Sequence, residues 1–130
     1  MKLFRSMKED VTGLPMIGQS GRKLGVRLGD DPTSDVTAIQ DSDLIFPNQG
    51  GMSVAPDDPM HLLRHRRPQS LGGTGLDPVW SLETNDLEPN LQFRQDSSTH
   101  GVIEPLQAMT LQQYQAALSA TRTRWKLSCR

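Results

Sequence analysis

Gly13, Pro15, Gly18 and Gly21 fall so close together after Glu9 that no long helix can cross them. The same kind of stop recurs downstream. Gly29-Asp30-Asp31-Pro32, Pro47-Asn48-Gln49-Gly50-Gly51 and Pro56-Asp57-Asp58-Pro59 each close a short apolar run with turn chemistry. A chain interrupted this often has to build its core from brief strands. With 11 glycines, 9 prolines and only 5% aromatic residues, abundant loops are expected. The 130 residues (1–130) make a single domain, with no room for a second independent core.

Lys2-Leu3-Phe4-Arg5-Ser6 reads as a buried early strand with Arg5 among apolar neighbours. Residues 23–28 alternate from Leu24 and predict a second strand, and 35–39 and 44–46 predict brief ones flanking a loop. Residues 52–55, 78–82, 91–95 and 100–104 follow as further strands, and 60–67 allow one short helical turn. The final stretch predicts the one long helix. Thr110 as N-cap with Gln113 three residues on forms a capping box, and Met109 can staple onto Tyr114. Leu111, Tyr114, Leu118, Thr121 and Trp125 form its core stripe, and Arg122, Arg124 and Lys126 complement the negative end of the helix dipole. The fold class is therefore α+β.

Several functions are disfavoured by composition. Fourteen basic against 15 acidic side chains leave a net charge of -1, which offers a nucleic acid backbone no overall pull. The single cysteine, Cys129, permits neither an internal disulfide nor a cysteine-based zinc site, so a reducing, cytoplasmic setting fits best. Leu3-Phe4 between Lys2 and Arg5 is too short for the apolar core of a secretory signal, and no window approaches a membrane span. His61 and His65 are four apart but lack the glutamate that a metalloprotease helix places after its first histidine; no metal is expected. Arg64 to Arg67 reads as a solvated basic face. Leu71 to Leu76 is glycine-rich yet lacks the Lys-Ser/Thr of a phosphate loop.

The chemistry converges on Thr99-His100-Gly101-Val102-Ile103-Glu104-Pro105, with a histidine at the entrance of an apolar strand and a carboxylate at its exit. Glu104 either faces a cleft or is a solvated strand-end acid. His100 either positions a ligand or bonds structurally. Gly50-Gly51 before Ser53 either lets a ligand approach the main chain or makes an ordinary hairpin turn.

Leu3-Phe4-Arg5, Gly50-Gly51-Met52-Ser53-Val54 and Thr99 to Glu104, in that order, resemble the Arg, Ser, Glu signature of the ADP-ribosyltransferase superfamily. More narrowly, the chain resembles the small bacterial type VI secretion effector toxins with an ADP-ribosyltransferase-like fold. That likeness runs from Pro89-Asn90-Leu91 through Gln95-Asp96 to Thr99-His100, then through Ile103, Pro105 and Met109 to Arg122 and Trp125. The resemblance implies split antiparallel β-sheets around an NAD cleft, with a C-terminal helix. NAD would be the substrate, and the activity that of an ADP-ribosyltransferase or NAD glycohydrolase of toxin type.

By the same resemblance, Arg5 would contact the pyrophosphate or nicotinamide ribose, and Gly51, Met52 and Ser53 would line the nicotinamide pocket. Glu104, Ser53 and His100 would be catalytic, with Glu104 stabilising the oxocarbenium-like charge as nicotinamide departs. A toxin implies an immunity or antitoxin partner, delivery by a specialised secretion system and an acceptor that these residues do not specify. Val102 stands where arginine-modifying transferases carry Gln or Glu, which disfavours arginine as acceptor. Met52-Ser53-Val54 replaces the usual Ser-Thr-Ser run. That leaner lining motivates the alternative of a non-catalytic nucleotide- or protein-binding module on the same fold.

Overall fold

A computed structural model describes residues 1–27 and 44–130. Among the described residues, eight short strands and one α-helix follow in order: β1 Lys2–Ser6, β2 Leu44–Ile45, β3 Met52–Pro56, β4 Val79–Glu83, β5 Leu91–Gln95, β6 Gly101–Pro105, β7 Met109–Thr110, α1 Leu111–Ala120 and β8 Lys126–Cys129. Six strands pair in the order β5-β6-β3-β1-β4-β8, and β2 pairs with β7 apart from them. Every ladder is antiparallel. The strand expected over 35–39 and the turn over 29–32 lie outside the described residues.

β3 changes neighbours along its length. Met52, Ser53 and Val54 pair with Ile103, Val102 and Gly101 of β6, whereas Ala55 and Pro56 pair with Phe4 and Leu3 of β1. The β1–β3 ladder stops at Phe4, so Arg5 and Ser6 have no register partner on β3. A seam opens there between two groups of strands within the single strand order.

Alternation sorts the side chains. Leu3, Met52, Val54, Trp80, Leu82 and Ile103 join Tyr114, Leu118 and Trp125 in one buried core on the α1 side. Phe4, Ala55 and Val79 form a smaller cluster on the other face, covered by Leu62 and Leu71. The predicted cap is present: Gln113 N–H donates to Thr110 Oγ1 at 3.1 Å, and Thr110 N–H donates to Gln113 Oε1 at 2.9 Å. A cap of this kind stabilises the helix by about 1 kcal/mol.

Three expectations need correction. Residues 23–27 are not a regular strand, although Leu24 and Val26 are fully buried as their alternation predicts, and Leu28 lies outside the described residues. The backbone there makes a single bridge, Leu24 to Ile17, and otherwise meets side chains, since the Lys23 and Gly25 carbonyls accept from the Arg5 guanidinium and the Leu24 carbonyl also accepts from Gln115 Nε2. A Cβ on Gly25 would lie 2.0 Å from the Gly18 carbonyl oxygen, so this close approach admits only glycine.

The helix also ends earlier than its apolar stripe suggests. Ala120 is its last residue, and Thr121 Oγ1 donates to the Leu118 carbonyl at 2.6 Å while accepting from Trp125 Nε1 at 2.9 Å. Thr121 and Trp125 are buried as expected, but beyond the helix. Arg122, Arg124 and Lys126 therefore do not sit in its last turn. Arg122 pairs with Asp10, Arg124 lies 2.7 Å from Glu88, and Lys126 opens β8, a strand missing from the sequence reading.

The Thr12 hydroxyl first, and the Arg122 guanidinium second, hold the Asp10 carboxyl well below the usual carboxylate range. A depressed folded-state value means the stabilisation is present above the ordinary value of about 4 and is lost as pH falls through the folded one. Between about pH 4 and about pH 2, the wild type is expected to lose stability more steeply than Asp10→Asn. Denaturant melts across that range check it, and parallel curves would remove Asp10 from the acid response.

Candidate functional site

Arg5 stays paired with Trp80 of β4 beyond the end of the β1–β3 ladder, and its guanidinium bridges the gap to β3. Nη1 donates to the Ser53 carbonyl at 2.8 Å, and Nη2 donates to the carbonyls of Lys23 at 2.9 Å, Gly25 at 3.3 Å and Ser20 at 3.3 Å. The side chain is 5% exposed. A planar fork of donors suits this task because several carbonyls from separate segments converge on it.

Beside it lies a cavity of about 440 Å³, within the range of about 300–1,000 Å³ common for small-molecule sites. The end of β1 supplies Arg5 and Ser6, and β3 supplies Ser53, Val54 and Ala55. Thr99 and His100 come from just before β6. The opposing wall is the segment from His61 to Arg66, with Arg27 and Gly21 beside it. All three histidines of the chain, His61, His65 and His100, line this one space. Three arginines, Arg5, Arg27 and Arg66, are among its lining residues. Arg66 Nη1 donates to the Gly21 carbonyl at 2.8 Å, and a Cβ on Gly21 would meet both the Arg66 and Arg27 guanidiniums within 3.3 Å. The two cationic groups thus converge, an arrangement suited to a phosphate-bearing ligand.

Of the residues expected at the site, Arg5, Ser53 and His100 meet at this cavity. Glu104, Gly51 and Met52 do not line it. Glu104 is 0% exposed on β6, where its Oε1 accepts from Arg94 Nε at 2.5 Å and its Oε2 accepts from Asn48 N–H at 3.0 Å and from Gln92 Nε2 at 3.3 Å. It is neither a solvated strand-end acid nor part of this cavity's wall. Antiparallel register explains the set, because Gln92 stands opposite Glu104 and Arg94 opposite Val102 on the same face.

Gly51 serves a close contact of another kind. A Cβ there would lie 2.6 Å from the Ile103 carbonyl oxygen and 3.2 Å from the Tyr114 hydroxyl. That hydroxyl donates to Ile103 O and accepts from Met52 N–H, so the glycine lets α1 reach into the β3–β6 junction. Met52 itself is fully buried in the core.

His61, His65, Arg27 and Arg66 were not legible as site residues. The run from Met60 to Arg67 forms a 3-10 turn at Pro59–His61 followed by further turns, and His61 Nδ1 donates to the Pro56 carbonyl at 2.8 Å, tying this wall to the end of β3. Among the described residues, no group of three or more His, Cys, Asp or Glu is placed to hold a metal ion. Nor is any described helix long and apolar enough to cross a membrane.

Fold and site together define a small antiparallel α+β protein with an arginine- and histidine-lined cleft at the seam of its sheet. The model of the Tse2 ADP-ribosyltransferase toxin family matches residues 1–126, and the chain belongs to that family. No curated protein matches it. Membership confirms the resemblance carried by the short motifs and implies NAD as substrate.

Proposed function

We propose that the cleft binds NAD and that the protein is a toxin ADP-ribosyltransferase able to transfer ADP-ribose or to hydrolyse NAD. The observation that carries this reading is the meeting of Arg5, Ser53 and His100 at one cavity with the Arg27–Arg66 pair. NAD supplies the bond that breaks, between ribose C1′ and the nicotinamide nitrogen. Arg66 and Arg27 would take the negative charge of its pyrophosphate. Arg5, committed to four main-chain carbonyls, keeps the two sides of the seam at a fixed spacing, with Ser53 and His100 held on the wall. In this reading the split-sheet character of the fold lies at β3, where the ladder passes from β6 to β1. Glu104 contributes by holding β5, β6 and the turn at Asn48 together. Delivery into a target cytoplasm and a neutralising partner protein belong to the same reading and rest on the family alone.

Incubation of the purified protein with adenylate-labelled NAD tests it. Nicotinamide release, with label passing to water or to an acceptor, is expected, as is a rise of about tenfold or more in the KM for NAD for Arg66→Ala. Absence of release, transfer and calorimetric binding would sink the proposal. Binding without release would favour the non-catalytic module.

A further inference from the structure

The turn between β5 and β6 holds a side-chain pair that the reading above leaves unused. His100 Nδ1 lies 2.7 Å from Asp96 Oδ1. A carboxylate only accepts, so Nδ1 carries the proton and Nε2 of the neutral ring is the nitrogen left to accept one. The backbone fixes this geometry: the N–H groups of Asp96 and Ser97 both donate to the His100 carbonyl, at 3.1 and 3.2 Å. Thr99 N–H donates to Ser97 Oγ at 3.3 Å, closing the turn on itself. His100 lines the cavity and Asp96 does not. Glu104, the acid expected to serve the reaction, is engaged elsewhere by Arg94, Gln92 and Asn48.

We propose that Asp96 is a positioning residue that holds His100 in the Nδ1–H tautomer, so that Nε2 takes the proton of an O–H nucleophile, either water or an acceptor hydroxyl. The proposal rests on reading the cavity as the NAD site. The nucleophile's oxygen bonds to ribose C1′ as the C1′–nitrogen bond breaks. The electron pair of that bond leaves with nicotinamide and neutralises its ring nitrogen. The O–H proton passes to Nε2, and the Asp96 carboxylate faces the imidazolium so formed.

Two measurements test this. Asp96→Asn is expected to lower kcat for nicotinamide release about 100-fold while KM for NAD stays within about threefold, and Asp96→Glu recovers part of the loss. Nitrogen-15 imidazole spectra read the tautomer without any turnover, and His100→Gln identifies the His100 signal among the three histidines. The wild type should show His100 as the Nδ1–H form, and Asp96→Asn should shift it. An Nε2–H form in the wild type overturns the assignment, as does an Asp96→Asn protein that keeps its kcat or loses kcat, NAD affinity and thermal stability together. A wild type with the expected tautomer but no nicotinamide release overturns the base role, and one that also fails to bind NAD overturns the NAD reading with it. An active wild type indifferent to Asp96→Asn overturns the dyad alone.

Discussion

Arg5→Ala is expected to lower the free energy of unfolding by about 3–5 kcal/mol, the largest loss from any single polar side chain described above. Four carbonyls, those of Ser20, Lys23, Gly25 and Ser53, would lose a donor at once. Each buried acceptor left without a partner costs about 1–3 kcal/mol, and water entering from the adjacent cavity recovers part of that sum. Lysine is a poor substitute, because one ammonium with three donors cannot span carbonyls on separate segments. Arg5→Lys should therefore retain less than about half of the lost stability. Urea unfolding reads both variants. The expectation fails if Arg5→Ala unfolds within about 1 kcal/mol of wild type. NAD affinity should fall in parallel, since the guanidinium sets the spacing of the cleft walls.

Glu104→Ala is expected to cost about 2–4 kcal/mol. The carboxylate is wholly buried, yet its partner Arg94 is 32% exposed and can turn toward water, which keeps the loss below that of a fully sealed ion pair. Asn48 N–H and Gln92 Nε2 would remain without their acceptor. Glu104→Gln preserves shape and one acceptor oxygen, so about 1–2 kcal/mol is expected there. Under the structural role proposed for Glu104, turnover in Glu104→Gln should follow stability and remain measurable at low temperature. A Glu104→Gln protein as stable as wild type, with intact NAD affinity and no turnover, would instead put the carboxylate in the chemistry.

Much of this architecture was readable because its signals are local. The Gly and Pro stops delimit strands at 2–6, 52–55, 78–82, 91–95 and 100–104 that differ from the observed elements by a residue at most at either end. The capping box at Thr110 and Gln113 is a matter of four adjacent residues and is present as expected. Other features were hidden because their causes are distant. β8 is an edge strand whose Lys126, Leu127 and Ser128 are exposed, so no alternation marks it. Thr121 and Trp125 continue the helical spacing but are buried after the chain has turned, held by their mutual hydrogen bond.

The site divided along the same line. Arg5, Ser53 and His100 lie on short motifs and meet at one cavity, while His61, His65 and Arg66 sit in a run whose composition is that of a solvated surface. Nothing local says that this run folds back over β3. The surroundings of Glu104 carried a usable signal: a tight turn between residues 95 and 101 fixes the hairpin register and places Gln92 and Arg94 on the carboxylate's own face. An acid flanked across a ladder by a guanidinium and an amide is set for burial.

β3 has a further consequence. Its five residues serve as the spine of a book whose leaves are the β5-β6 and β1-β4-β8 groups. Anything lodged against Ser53 to Ala55 touches both leaves and acts as a wedge, so occupancy can be felt at either outer edge without a flap that swings or a loop that orders. Remote labels on β5 and β8 would then respond together to one small molecule.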